Sequence, residues 1–217
     1  EKCVACQGCS VACRFENNTP TVAPDEAKLG RAIRWNDVFP VPVNPTEETG
    51  EYPNVKTRYI TRPCMHCENA PCIKVCPVQA TFIDDEGLVR QNYDRCIGCR
   101  FCTAGCPYGV RYFNWYEPEW AEGMESFINP DKIESAGVSE GPAVRPVGVV
   151  EKCTYCIHRL KKARSRAEAE ERDFRADEYV PACVQTCIGK ARYFGDLDDP
   201  DSTVSQLVKS PRSFRLL

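Results

Sequence analysis

Alternation of apolar and polar positions is confined to a few short stretches of this chain, and those stretches predict its strands. Ala80-Thr81-Phe82-Ile83 alternates, Asp84-Asp85-Glu86-Gly87 is turn-forming, and Leu88-Val89-Arg90-Gln91 alternates again, which predicts a β-hairpin. Val110 to Trp115 reads as a further strand, and Ala191-Arg192-Tyr193-Phe194-Gly195 echoes it, so the chain carries an internal repeat. From Ile157 to Asp173 the composition turns to Arg, Lys, Ala and Glu without proline or glycine, which predicts a helix. Its basic residues Arg159, Lys161, Lys162, Arg164 and Arg166 precede Glu168, Glu170 and Glu171. They read either as a docking surface for an acidic partner or lipid head groups, or, as the mixed sign favours, as a solvated face with pairs such as Arg164 and Glu168.

The remaining stretches show neither period. Residues 14 to 60 carry Pro20, Pro24, Pro40, Pro42, Pro45 and Pro53, and residues 116 to 150 carry Pro118, Pro130, Pro142 and Pro146, which predicts two irregular connectors that pack against partners. No apolar run approaches the roughly 18 residues that a membrane-crossing helix needs.

With 42% hydrophobic residues over 217 positions the chain has material for a packed core, and 28 basic against 31 acidic residues give a net charge of −3. That balance does not advertise nucleic-acid binding and favours a protein partner. Cysteine changes the picture: there are 16, against 2 histidines and 2 methionines. Cys3, Cys6, Cys9 and Cys13 follow C-x2-C-x2-C-x3-C, and Cys96, Cys99, Cys102 and Cys106 repeat it with Pro107 next. Cys64, Cys67, Cys72 and Cys76 form the variant C-x2-C-x4-C-x3-C, followed by Pro77. Cys153 and Cys156 are completed after a gap by Cys183 and Cys187, so four groups of four use every cysteine.

Three thiolates from one tight loop can surround a cube-shaped iron–sulfur cluster, while the fourth, with proline after it, leaves in another direction. In two-cluster ferredoxins that fourth cysteine ligates the other cluster. Structural zinc sites of four cysteines are the competing reading, but the repeated spacing with its proline is more specific than zinc-ribbon knuckles. A disulfide framework suits domains too small for a core, which this chain is not. Residues 64 to 115 read as one two-cluster module, and the chain's ends supply the other, so one ferredoxin-like module is inserted within another. His66 and His158 are candidates to hydrogen-bond a cluster sulfur, with a plain polar neighbour as the alternative. No nucleophile constellation or phosphate-cradling glycine loop accompanies them.

The order of the groups, together with Cys64-Met65-His66-Cys67-Glu68-Asn69-Ala70-Pro71-Cys72, Arg95-Cys96-Ile97-Gly98-Cys99-Arg100-Phe101-Cys102 and Glu151-Lys152-Cys153-Thr154-Tyr155-Cys156, closely resembles the four-cluster iron–sulfur subunits of the dimethyl sulfoxide reductase superfamily. Similar subunits serve polysulfide, tetrathionate and arsenate reductases and alternative complex III. The resemblance implies an α+β fold of two ferredoxin-like modules: an outer one from residues 1–20 and 150–197, an inner one from 60–115, connectors at 21–59 and 116–149, and a tail at 198–217.

It also implies four [4Fe–4S] clusters with exchanged ligands. Cys3, Cys6, Cys9 and Cys187 would hold the first, and Cys13, Cys153, Cys156 and Cys183 the second. Cys64, Cys67, Cys72 and Cys106 would hold the third, and Cys76, Cys96, Cys99 and Cys102 the fourth. Arg14 and Ile188 stand where a ferredoxin has proline, a departure that bears on local geometry. By the same resemblance the chain is a non-catalytic electron-transfer subunit. Its first cluster would face a large molybdopterin-binding subunit and its fourth an integral membrane, quinone-reactive subunit. A freely diffusing polyferredoxin is the alternative, disfavoured by the long connectors. Membrane association through partners, on the periplasmic face rather than the cytoplasmic one, is expected, as are residues preceding Glu1, which stands two positions before the first ligand.

Overall fold

The hairpin expected from the alternation is present. In the computed structural model, which describes residues 2–42, 57–118, 123, 128–129 and 144–214, β3 (Thr81–Ile83) and β4 (Val89–Gln91) pair antiparallel with Thr81 opposite Gln91. Asp84 closes the turn, accepting from the Gly87 amide on its carbonyl and from the Glu86 and Leu88 amides on Oδ1, at 2.9, 3.1 and 2.9 Å. Only Tyr112–Phe113 of the next run is a strand, β5, and it pairs with β6 (Val150–Glu151). Ala191 to Gly195, read as its echo, forms no strand. Where β5 has β6 beside it, this run meets side chains: Arg192 donates to Asn36 Oδ1 at 2.9 Å and the Tyr193 hydroxyl accepts from Lys2 Nζ at 3.1 Å.

The first connector is more regular than its prolines suggest. It holds helix α2 (Pro24–Lys28) and a ladder of β1 (Asp37–Pro42) with β2 (Thr57–Arg62), Asp37 opposite Arg62. Pro40 and Pro42 are tolerated because a two-stranded ladder leaves each strand an edge with no bond to donate, and buried Val38 anchors β1 on Cys9 and Cys183. Pro45, Pro53, Pro130 and Pro142 of the two connectors lie outside the described residues.

Helix α1 (Gly8–Glu16) buries Cys9 and Cys13. Three one-turn helices, α3 (Pro71–Lys74), α4 (Phe101–Ala104) and α6 (Ala182–Gln185), bury Cys72, Cys102 and Cys183. α3 packs on α4 and α1 on α6. α5 (Ile157–Ala169) buries Ile157, Leu160, Ala163 and Ala167 on one stripe. It stops short of Asp173 because Glu171 turns left-handed, φ 53°, and the Arg172 amide bonds back to the Ala167 carbonyl at 3.0 Å. Its basic residues make contacts within the chain: Arg164 pairs with Glu86 of the hairpin turn at 2.5 Å instead of with Glu168, and Arg159 clamps Glu16. A last helix, α7 (Thr203–Val208), is capped by the Ser202 hydroxyl.

The fold is α+β, and its apolar residues are divided among small clusters, several of which have cysteines as members. Between them lies a buried ionic knot. Arg145 donates to both Glu151 oxygens, at 2.7 and 3.2 Å, and to the Asn17 and Asn18 carbonyls at 2.6 and 3.0 Å. Glu151 also accepts from Trp35 Nε1 at 2.8 Å and Asn114 Nδ2 at 2.9 Å. The knot ties the segment after Cys13 to the strand before Cys153.

Candidate metal centres: four cysteine groups

Each group opens with the same turn. The residue before the second cysteine is left-handed in all four: Ala5, His66, Gly98 and Tyr155, with φ of 54°, 45°, 69° and 53°. Ala5, His66 and Tyr155 are not glycine, so each holds strain of order 1–3 kcal/mol, as functional sites commonly do. Successive amides in such turns form concavities suited to anions. At Gly98 no other residue fits, because a Cβ would lie 2.2 Å from the Gly148 carbonyl oxygen.

The closing cysteines share a second turn. The amides of Gln79, Gly109 and Lys190 bond to the carbonyls of Cys76, Cys106 and Cys187 at 3.3, 3.2 and 3.0 Å, and all three donors have positive φ. The Ala80 and Ala191 amides donate to the Cys76 and Cys187 sulfurs, both at 3.2 Å. Ile188 in the proline position therefore leaves this turn intact. Cys13 differs: Arg14 has the N–H that proline lacks, so α1 continues through Cys13 to Glu16.

The structure brings cysteines together across the sequence. Cys64, Cys67, Cys72 and Cys106 line one small cavity, walled by Ala70, Pro71, Val89, Pro107 and Val110. Cys13 lies among Cys153, Cys156 and Cys183, whose charges add to burial in pushing its thiol well above the ordinary range. Cys3 packs with Cys9 and Cys183. Gly8 abuts the Cys6 sulfur and Thr186, and Gly189 abuts the Lys2 carbonyl, so the Cys187 turn lies against the first group. Cys102 has Cys96 and Cys72 beside it. Cys99 is exposed, and Cys76 faces backbone: burial raises its thiol, but the amides of Thr81, Ala80 and Val78 outweigh that and lower it.

Neighbouring groups also touch. Cys9 adjoins Cys183, Cys153 adjoins Cys64, and Cys72 adjoins Cys102. The six sulfurs at these junctions are buried, Cys67 and Cys106 are half-buried, and Cys6 and Cys99 are exposed. Beside these two stand exposed apolar residues, Val4 and Ile188 (76%) near Cys6 and Ile97 (66%) and Phe101 near Cys99.

All sixteen thiols are free. Burial pushes Cys156 up to about 11 and raises Cys153 further, so these become thiolates only when a bound cation compensates. Among the described residues no three His, Cys, Asp or Glu side chains converge tightly enough for one ion. A zinc held at about 2.3 Å by each sulfur needs that convergence, whereas four sulfurs spread around a cavity suit a multi-iron cube. The donor set therefore fits [4Fe–4S] clusters.

Among the described residues the histidines do not hydrogen-bond sulfur. His158 Nε2 pairs with Glu16 Oε1 at 2.7 Å, and His66 Nδ1 accepts the Val89 amide at 3.1 Å while its ring stacks on Tyr155, centroids 4.1 Å apart. Asn17 does reach sulfur, with Nδ2 3.7 Å from both Cys13 and Cys156 Sγ. Its signal in the sequence is slight: a polar residue one helical turn after a cysteine.

Residues 55–123 match the family described as "4Fe-4S dicluster domain". All of the chain aligns, at 42% identity, with 80% of the iron-sulfur cluster-binding subunit of menaquinone reductase from Nitratidesulfovibrio vulgaris. All of it also aligns, at 40% identity, with 71% of a protein from Halobacterium salinarum named for the iron-sulfur subunit of dimethyl sulfoxide reductase. At 38% identity it aligns with 87% of the arsenate respiratory reductase iron-sulfur subunit from a Shewanella species. Shared ligand spacing, a shared turn at each cysteine group and full-length similarity lead to one conclusion: the chain belongs to the 4Fe–4S dicluster family of reductase iron–sulfur subunits.

Proposed function

We propose that this chain is a non-catalytic subunit that relays electrons through four [4Fe–4S] clusters between a molybdopterin-type catalytic subunit and a quinone-reactive membrane subunit. The ligand sets are those implied by the family resemblance: Cys3, Cys6, Cys9 and Cys187; Cys13, Cys153, Cys156 and Cys183; Cys64, Cys67, Cys72 and Cys106; Cys76, Cys96, Cys99 and Cys102. The packing of α1 on α6 and of α3 on α4 supports two nested modules, each with two sets. Clusters supply one-electron redox chemistry, and thiolate ligation, burial and N–H···S bonds set their potentials. Assembly on the periplasmic face completes the proposal.

The observation that carries it is the continuity of the four groups. They adjoin in the order Cys9 to Cys183, Cys153 to Cys64 and Cys72 to Cys102, with the sulfurs at each of these junctions buried and the exposed cysteines, Cys6 and Cys99, among apolar residues at the two ends. A path whose fully exposed cysteines stand at its two ends suits passage between two partners. The test is purification of the native assembly under anaerobic conditions. A large pterin-binding chain and a membrane protein should co-purify, and a short-chain menaquinol or quinone should change the clusters' redox state. A four-cluster protein that purifies alone and stays inert to quinol and quinone contradicts the proposal.

A further inference from the structure

Two cations are buried among the cysteines, and among the described residues no carboxylate neutralises them. Lys152 is 1% exposed, and among the described residues its ammonium has one hydrogen-bond partner, the Cys153 carbonyl at 2.8 Å. An unpaired ammonium in such a place is costly, and a methionine of similar length would pack there without the cost. The groups around it that can carry negative charge are sulfurs, those of Cys64 and Cys72 on one side and of Cys153 on the other, and the Arg111 cation lies near it as well.

Arg111, 3% exposed, repeats the arrangement one step along. Its Nη1 is fixed by Gln91 Oε1 at 3.0 Å and Thr81 Oγ1 at 3.3 Å, while its buried Nη2 has no oxygen or nitrogen partner among the described residues. The guanidinium lines the cavity of Cys64, Cys67, Cys72 and Cys106 and lies against Cys102 of the next group. Arg111 stands five residues after Cys106, and Arg192 five after Cys187, where it approaches Cys13 and Cys183.

We infer that Lys152 and Arg111 are positioning residues of the electron path, fixed cations that raise the reduction potentials of the centres on both sides of the second and third of its three junctions. The inference rests on the relay proposed above. Each one-electron step removes a negative charge from one side of a junction and adds it to the other. A cation between the two sides stabilises the electron in either place, and no proton need move. Thiolate-ligated clusters are net negative, which is the compensation that the two cations otherwise lack. The low dielectric of the site makes a charge there count for far more than one at the surface.

The test is EPR-monitored redox titration of the purified assembly carrying Lys152→Met, Lys152→Arg, Arg111→Met or Arg111→Lys. Lys152→Met should shift to more negative potential the two signals that Cys67→Ala and Cys156→Ala abolish and leave the other two in place, and Lys152→Arg should restore both. Arg111→Met should shift the signals that depend on Cys67 and Cys99, with Arg111→Lys restoring them. Four unchanged potentials in the methionine variants, or equal shifts in the charged and uncharged replacements, overturn the inference. If Lys152→Met loses iron, the Arg111 pair decides. Absence of iron–sulfur signals from the unsubstituted protein contradicts the relay itself and is distinguishable from these outcomes.

Discussion

Arg145→Met removes the cation of the buried knot. It leaves the fully buried Glu151 carboxylate without its counter-charge and the Asn17 and Asn18 carbonyls without their donor. Breaking a buried ion pair from one side costs about 3–5 kcal/mol, and each orphaned buried carbonyl about 1–3 kcal/mol. These overlap, since the same relaxation serves all three groups, so about 4 kcal/mol is a conservative figure. At about 2–4 °C per kcal/mol for a chain of this size, the midpoint of thermal unfolding should fall by about 8–16 °C. The assay is anaerobic melting followed by far-ultraviolet circular dichroism and by loss of iron–sulfur absorbance. Because the knot ties Asn17 to the strand before Cys153, the signal that depends on Cys13 and Cys156 should bleach first. Glu151→Gln added to Arg145→Met removes the stranded charge while keeping an acceptor for Trp35, so the double variant should regain part of the loss. A single variant melting within about 2 °C of the parent, or a double variant worse than the single, refutes the reasoning.

Gly98→Ala should destroy one cluster selectively: the left-handed backbone and a Cβ 2.2 Å from the Gly148 oxygen leave the turn between Cys96 and Cys99 no way to form, and iron analysis should show about four irons lost. Glu16 is raised by burial but lowered more by its hydrogen bonds to His158 and Arg159, to about 2 from 4.5, so its contribution is present above about pH 4.5 and lost as pH falls toward 2. Glu16→Gln should therefore weaken the fold at pH 6 and flatten the stability profile between about pH 5 and 3, and chemical denaturation across that range checks it. Cys76→Ala should abolish the EPR signal that Cys99→Ala abolishes and spare the one lost in Cys64→Ala. The reverse result would mean that ligands are not exchanged between motifs.

The chemistry of this chain was legible because it depends on spacing. Sixteen cysteines in four groups specify their own turns, and the hairpin between Cys76 and Cys96 shows period-two alternation with a strong turn at Asp84 to Gly87. What spacing does not encode was harder to read. The β1–β2 ladder hides behind Pro40 and Pro42, since tertiary burial of Val38, not local propensity, makes it a strand. The Ala191 to Gly195 run has strand-like residues but, among the described residues, no strand to pair with. Lys152 and Asn17 look like surface residues in the sequence, and only the folding of distant segments around them buries one among sulfurs and aims the other at two of them. The histidines invited a sulfur-bonding role by proximity in sequence, yet Glu16 and the Val89 amide lie nearer to their ring nitrogens.

The most direct test of the account is the metal and sulfide content of the anaerobically purified chain, read with its EPR spectrum after dithionite reduction. Four [4Fe–4S] clusters require about sixteen irons and about sixteen acid-labile sulfides per chain, with no zinc in stoichiometric amount, and overlapping signals that integrate to about four spins. Zinc in place of iron, or about eight irons or fewer in fully loaded protein, contradicts it.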